Sequence, residues 1–167
     1  MLNLVKKKNL LLGEKFKKIM ISTWDKKFIE LTLHVAEWSK DRGTKVGAVI
    51  IGEGNRVVSM GYNGFCRGID DTKEERHLKP AKYWYTEHSE RNSLYNACYN
   101  GVSTKGCIMY TSLFPCIDCA RGIINSGIVE IIVKDKPDFN HGRYGEDFKI
   151  SLEMLNEADV KIRYINN

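Results

Sequence analysis

The chain has 167 residues, the size of one domain and enough to bury a core without disulfide or metal staples. Apolar residues at 43% and charged residues at 28% exclude disordered, collagen-like and disulfide-dense proteins, and no run approaches the ~18 apolar residues of a membrane span. The formal charge of +5 is local: residues 1–20 hold six lysines against Glu14, leaving 20 basic and 20 acidic residues to balance over the rest of the chain, with no basic footprint for nucleic acid.

Residues 1–20 mix those lysines with Leu2, Leu4, Leu10, Leu11, Leu12, Phe16 and Ile19. The segment reads as a flexible basic extension, or as sequence ahead of a start at Met20. Lysine returns after only three consecutive leucines, which is not the pattern of a signal peptide. A domain is expected over residues 21–167. Trp24, Phe28, Leu31, Val35 and Trp38 recur at helical spacing, and the spacing predicts a helix ending at Asp41-Arg42-Gly43 with Gly43 as a left-handed cap. His34 lies beside this stripe as a packed or half-exposed side chain. Val46–Ile51 and Arg56–Gly61, joined by Gly52-Glu53-Gly54-Asn55, predict a β-hairpin. Residues 64–86 are charged and irregular, and their length points to a functional loop or a partly helical segment.

Helical periodicity resumes near Glu87 and runs to Asn100-Gly101; Cys107–Leu113 reads as a buried strand. Pro115 opens a helix over about Cys116–Ser126, closed by Gly127. Ile128–Val133 predicts a strand, Phe148, Leu152, Leu155 and Ala158 a helix, and Val160–Ile165 a final strand. Strands alternating with helices make this an α/β protein with part of its sheet parallel.

Five cysteines, an odd number, include one Cys-x-x-Cys pair, which favours a reducing, cytoplasmic compartment and a metal or redox site. Cys116 and Cys119 stand three apart at the start of one helix, where the helix terminus favours thiolate. His88 starts another helix and can supply a third ligand. Two thiolates and one imidazole leave tetrahedral zinc an open position, the catalytic pattern; a fourth Cys or His at ligand spacing would be needed for a structural site. Glu90, two residues beyond His88, is placed to move a proton. A thiol redox pair or structural zinc is the alternative to this catalytic zinc reading.

His88-Ser89-Glu90 with Pro115-Cys116-Ile117-Asp118-Cys119 resembles the signature of the zinc-dependent cytidine/deoxycytidylate deaminase superfamily. Ser39-Lys40-Asp41, Lys45-Val46-Gly47-Ala48-Val49-Ile50, Gly61-Tyr62-Asn63-Gly64, His88-Ser89-Glu90-Arg91-Asn92 and Leu113 through Ala120 look like consecutive blocks of deoxycytidylate deaminases, across about residues 24 to 165. The resemblance implies a single mixed central sheet of about five strands flanked by helices. It implies hydrolysis of dCMP to dUMP and ammonia, supplying dUMP for thymidylate synthesis. His88, Cys116 and Cys119 would hold Zn2+, Glu90 would shuttle the proton, and Asn63 would contact the sugar. The backbone carbonyls of Ser89 and of Pro115, beside Cys116, could read the exocyclic amine and the ring edge. For Asn63 the alternative is a residue that merely suits its glycine-flanked turn.

Relatives of this kind are homo-oligomers, often hexamers, activated by dCTP and inhibited by dTTP; Lys45, Arg67, Arg76 and Lys79 are the cations that could hold such phosphates. Phe139 or Tyr144 could stack on the base, Asn92 could orient a loop or the ligand, and His141 reads as an exposed loop histidine. The family usually has Ala where this chain has Ser89. The alternatives are a deaminase of another cytosine nucleotide or of tRNA adenosine, and a catalytically silent zinc-containing nucleotide sensor. The neutral body argues against an RNA substrate, and an intact Glu90 against a sensor. No nucleic acid or membrane partner is expected.

Overall fold

The structure is a computed structural model and describes residues 21–166; the expected basic extension, residues 1–20, lies outside the described residues. Helix α1 spans Thr23–Ala36 and is started by a reciprocal capping box. Ser22 Oγ accepts from the Asp25 N–H at 3.0 Å while the Asp25 carboxylate accepts from the Ser22 N–H at 2.8 Å, satisfying two of the helix's free donors. Its buried face is Phe28, Ile29, Thr32, Val35 and Ala36. The predicted extension to Gly43 is corrected: the Trp38 and Ser39 N–H groups bond back to Val35 and Ala36, tightening the last turn and ending the helix. Trp24 and Trp38 at the ends of the stripe are therefore about half exposed. Gly43 is no helix cap; its N–H donates to Asp41 Oδ1 at 2.7 Å in an Asx turn.

Strands β1 (Gly47–Gly52) and β2 (Arg56–Tyr62) form the expected antiparallel hairpin. A short pair, β3 (Gly64–Phe65) and β4 (Thr86–Glu87), ties off the charged segment, which is partly helical as a 3-10 turn at Glu74–His77 and a single-turn helix α2 at Lys82–Tyr85. Helix α3 (Ser89–Tyr99), strand β5 (Ile108–Thr111), helix α4 (Ile117–Asn125), strand β6 (Glu130–Asp135), helix α5 (Gly145–Glu157) and strand β7 (Lys161–Asn166) complete the chain. The main sheet has the order β2-β1-β5-β6-β7, antiparallel on either side of β1 and parallel from β5 to β7. This is the mixed five-stranded sheet expected from the sequence.

Strand alternation sorts the core into two layers. Val49, Ile51, Tyr110 and Ile132 face α1 and pack with Phe28, Ile29 and Val35. On the other face Ile50, Met109, Ile131 and Val133 pack with Leu94, Ile123, Phe148 and Leu155 of α3, α4 and α5. Two glycines allow helices to lie directly on the sheet. A Cβ at Gly47 would stand 2.2 Å from the Thr32 carbonyl oxygen, and one at Gly61 would stand 2.4 Å from the Ser93 nitrogen. Beneath the α1 cap, buried Asp25 accepts from the Tyr110 hydroxyl and from Arg163, each at 2.8 Å, and Arg163 reaches Glu130 as well. One ionic network thus pins α1 to β5, β6 and β7. Among the described residues, no helix is long and apolar enough to cross a membrane.

Candidate active site

Two helix starts converge beyond the carboxyl end of β5. His88 is the N-cap of α3 and Cys116 the N-cap of α4, while Cys119 sits in the first turn of α4. The close approach of α3 to Gly61 fixes the first of these ends, and the short connection from Thr111 through Pro115 fixes the second. His88 Nδ1 lies 3.4 Å from Cys116 Sγ and 3.5 Å from Cys119 Sγ. One donor atom from each of these three residues falls within 4.8 Å of the others. Two sulfurs and one imidazole nitrogen at these separations are the donors tetrahedral zinc takes, with one position left open.

The protonation pattern suits the same task. The hydrogen bond from the Cys119 thiol and that with His88 outweigh burial and lower the Cys116 thiol, which favours its thiolate. The neighbouring Cys116 and burial push the Cys119 thiol up, and Cys116 raises His88. The pair therefore keeps a proton that metal binding would release. Burial raises the Glu90 carboxyl above the usual range, and the Ser89 hydroxyl donates to its Oε2 at 3.0 Å. Ser89 thus supports the carboxylate.

His88, Ser89, Glu90 and Cys116 share the floor of a cavity of about 200 Å³. Asn63 lines the wall, as expected of a substrate residue, but its carboxamide is partly engaged: Oδ1 accepts from the Val46 N–H and Nδ2 donates to the Thr44 carbonyl, both at 2.8 Å. One N–H and one lone pair remain for a ligand. Asn63 is also free of left-handed backbone, so turn geometry does not explain its presence. Pro115, expected as a substrate residue, is fully buried and does not line the cavity. Asn92 donates to the Tyr62 carbonyl at 2.8 Å and ties α3 to the end of β2.

The two candidate stacking rings separate. Phe139 packs edge-on against Phe114 in the core, whereas Tyr144 lines the cavity and stacks on Phe148, another lining residue. His141 Nδ1 accepts from the Arg143 and Tyr144 N–H groups at 3.2 Å each, shaping the loop. Of the four expected phosphate cations, Lys45 is 3.3 Å from Glu37, Arg67 lies over the Tyr99 ring, and Arg76 lies over Tyr85. Lys79 alone of the four lines the cavity. Sequence reasoning missed Lys82 and Tyr83 in its lining, and Arg143, which lies outside the lining against the Tyr83 and Tyr144 rings. Lys82 is bound to Asp41 at 2.7 Å. Arg143 donates to the Tyr83 hydroxyl at 2.8 Å. Burial would raise that phenol, yet Arg143 and Lys79 bring it below its ordinary value. Neither Arg143 nor Lys79 forms an ion pair among the described residues. The charged character of residues 64–86 is the signal that points to Lys82 and Tyr83; Arg143 lies outside that segment and carries none.

Residues 22–135 match the family model of the cytidine and deoxycytidylate deaminase zinc-binding region. An uncharacterized deaminase in the luxG 3′ region of Aliivibrio fischeri is 36% identical over 148 residues, covering 87% of this chain and 96% of its own. The human deoxycytidylate deaminase is 38% identical over 114 residues, 65% of this chain and 63% of its own. In fold, the chain resembles the dCMP deaminase of cyanophage S-TIM5, solved in complex with dCMP and dUMP, with a TM-score of 0.71 at 18% identity over 87% of this chain and 99% of that one. On the match over residues 22–135 and on the fitting His88, Cys116 and Cys119 donor set, the chain belongs to the cytidine and deoxycytidylate deaminase family, whose cofactor is Zn2+.

Proposed function

We propose that the chain hydrolyses dCMP to dUMP and ammonia, with His88, Cys116 and Cys119 as the zinc ligands and Glu90 as the proton carrier. The observation that carries this reading is a buried, protonation-prone Glu90 beside the donor set in a cavity lined also by Lys79, with Arg143 against the lining rings of Tyr83 and Tyr144; neither cation has an ion-pair partner among the described residues. Bound between the three ligands, zinc would supply Lewis acidity that makes a water nucleophilic near neutral pH.

Glu90 accepts a proton from the attacking water as its oxygen bonds to C4 of the pyrimidine, and passes that proton to ring N3. It then takes the second proton from the new C4 hydroxyl and delivers it to the amine; the C4–N4 bond breaks, ammonia leaves and the oxygen remains as the C4 carbonyl. Asn63 offers its remaining N–H and lone pair to the sugar, and Tyr144 its ring face to the base. The Ser89 and Pro115 carbonyls are the candidate readers of the pyrimidine edge. Lys79 at the mouth, and Arg143 beside Tyr83 and Tyr144, would take the monophosphate by charge-assisted hydrogen bonds, favouring nucleotide over nucleoside.

The deaminase domain is assigned to residues 21–167. Five free thiols accord with a cytoplasmic setting. Exposed Trp84, Tyr95 and Tyr99 accord with a homo-oligomer, and regulation by dCTP and dTTP is part of the same reading. An ultraviolet assay with dCMP, dCTP, cytidine and an adenosine-containing anticodon stem, each with and without the two effectors, tests it. Turnover on dCMP well above cytidine is expected. Turnover confined to the RNA would move the chain to another branch of the family, and zinc-replete protein silent on all four would make it a sensor.

A further inference from the structure

Between the two helices that carry the metal ligands lies a side chain that hydrogen-bonds to none of the three donor atoms yet reaches both helices. The stem of Arg91 lies along α4 at Gly122, one turn beyond Cys119, where an added Cβ would stand 3.5 Å from Arg91 Cγ. Its Nη1 is 3.4 Å from a carboxylate oxygen of Asp118, one of the two residues between the cysteines. On the other side its Nε donates to Glu87 Oε1 at 2.6 Å, and Nη2 donates to the same oxygen. That oxygen also accepts from the backbone N–H of His88 at 2.9 Å. A continuous polar path therefore runs from α4 through Asp118, Arg91 and Glu87 to the backbone of His88. Arg91 and Glu87 are each less than one-fifth exposed, which shields the tie from water.

We propose that Arg91 is a positioning residue that sets the distance between the His88 end of α3 and the cysteine end of α4, and so preorganises the zinc site. The planar guanidinium is suited to this because it bonds two carboxylates at fixed angles, which a lysine ammonium on its flexible stem does not do. Partners behind the ligands orient a metal site, and their loss typically costs about ten- to a hundredfold in metal affinity. The inference rests on the zinc reading above, and the metal content of the wild-type chain tests that reading separately.

The test uses the full chain and the variants Arg91→Met, Arg91→Lys and Asp118→Asn. Zinc affinity is measured by competition with a chromophoric chelator, and unfolding midpoints are taken with and without zinc. For Arg91→Met, zinc affinity is expected to fall about ten- to a hundredfold, with the zinc-bound midpoint falling further than the zinc-free one, which drops only by the cost of leaving Glu87 without its cation. Arg91→Lys is expected to recover only part of the affinity. Asp118→Asn removes an exposed partner and cannot threaten the core, so it reads the effect even if Arg91→Met fails to fold; a loss of roughly threefold or more is expected. Cobalt-loaded Arg91→Lys is expected to show shifted ligand-field bands. Wild-type zinc affinity in Arg91→Lys and Asp118→Asn would overturn the proposal, as would a zinc-free midpoint that falls as far as the zinc-bound one. A wild-type chain that binds no zinc would overturn the zinc reading itself, and the positioning role with it.

Discussion

On the floor of the cavity, His88 and Cys116 each cap a helix, and one sheet and one close-packed glycine decide where those helices start. At the mouth, Lys79 and Tyr83 come from the charged segment after β3, whereas Tyr144, with Arg143 against its ring, comes from the loop after β6. The contact between Tyr83 and Arg143 spans 60 residues of sequence. The floor stands on buried, regular backbone, and the mouth on exposed side chains meeting across two loops. Chemistry at C4 needs fixed atoms, while holding a nucleotide tolerates adjustment, and the two regions are built accordingly.

Breaking the floor has the largest expected effect. Glu90→Gln keeps the shape of the side chain and removes its proton transfer, so kcat should fall about a thousandfold at unchanged zinc content. Steady-state kinetics with metal analysis checks it, and a loss under tenfold would place the proton elsewhere.

The scaffold under the floor comes next. Burial alone would raise the Asp25 carboxyl, but Arg163, the Ser22 N–H and the Tyr110 hydroxyl bring it from 3.8 down to about 2. The group is charged in the fold at pH values where it would protonate in the unfolded chain. Its contribution to stability is therefore complete above about pH 4 and is lost as pH falls towards 2. Asp25→Asn leaves Arg163 short of a buried partner and should cost about 3 kcal/mol at neutral pH. Urea unfolding at pH 7 and pH 3 measures both effects, and the gap between variant and wild type should narrow in acid.

The mouth should give a smaller and differently shaped response. Lys79→Ala or Arg143→Ala removes a charge-assisted hydrogen bond of about 2 kcal/mol, and KM for dCMP should rise roughly tenfold or more with kcat nearly unchanged. Cytidine, which lacks the phosphate, should be indifferent. Equal losses on the two substrates would remove the phosphate role. Smallest of all, Lys45→Ala deletes one exposed ion pair with Glu37 and should shift stability by less than about 0.5 kcal/mol.

The same contrast explains what could be read in the sequence. Ligand chemistry demands particular residue types at particular spacings, so His88, Glu90, Cys116 and Cys119 were legible, as was the alternation of strands and helices. Periodicity marked Trp24 and Trp38 as part of a buried stripe because it carries no information on where a helix stops against its sheet. It placed Phe148 in a helix but could not show that the ring also lines the cavity. Asn63 stood out in its glycine-flanked turn, yet its bonds to residues 44–46 depend on a partner segment 17 residues away. Arg143 and Tyr83 carry no local pattern at all. Their meeting is a property of two loops, and only the folded chain brings it about.

The most direct test of this division of labour is one set of kcat and KM values for dCMP, measured side by side on Glu90→Gln and on the Lys79→Ala/Arg143→Ala double variant. The account predicts that the first change collapses kcat with little movement in KM, and the second raises KM with little movement in kcat. A double variant that loses kcat as steeply as Glu90→Gln, or a Glu90→Gln enzyme impaired only in KM, would contradict it.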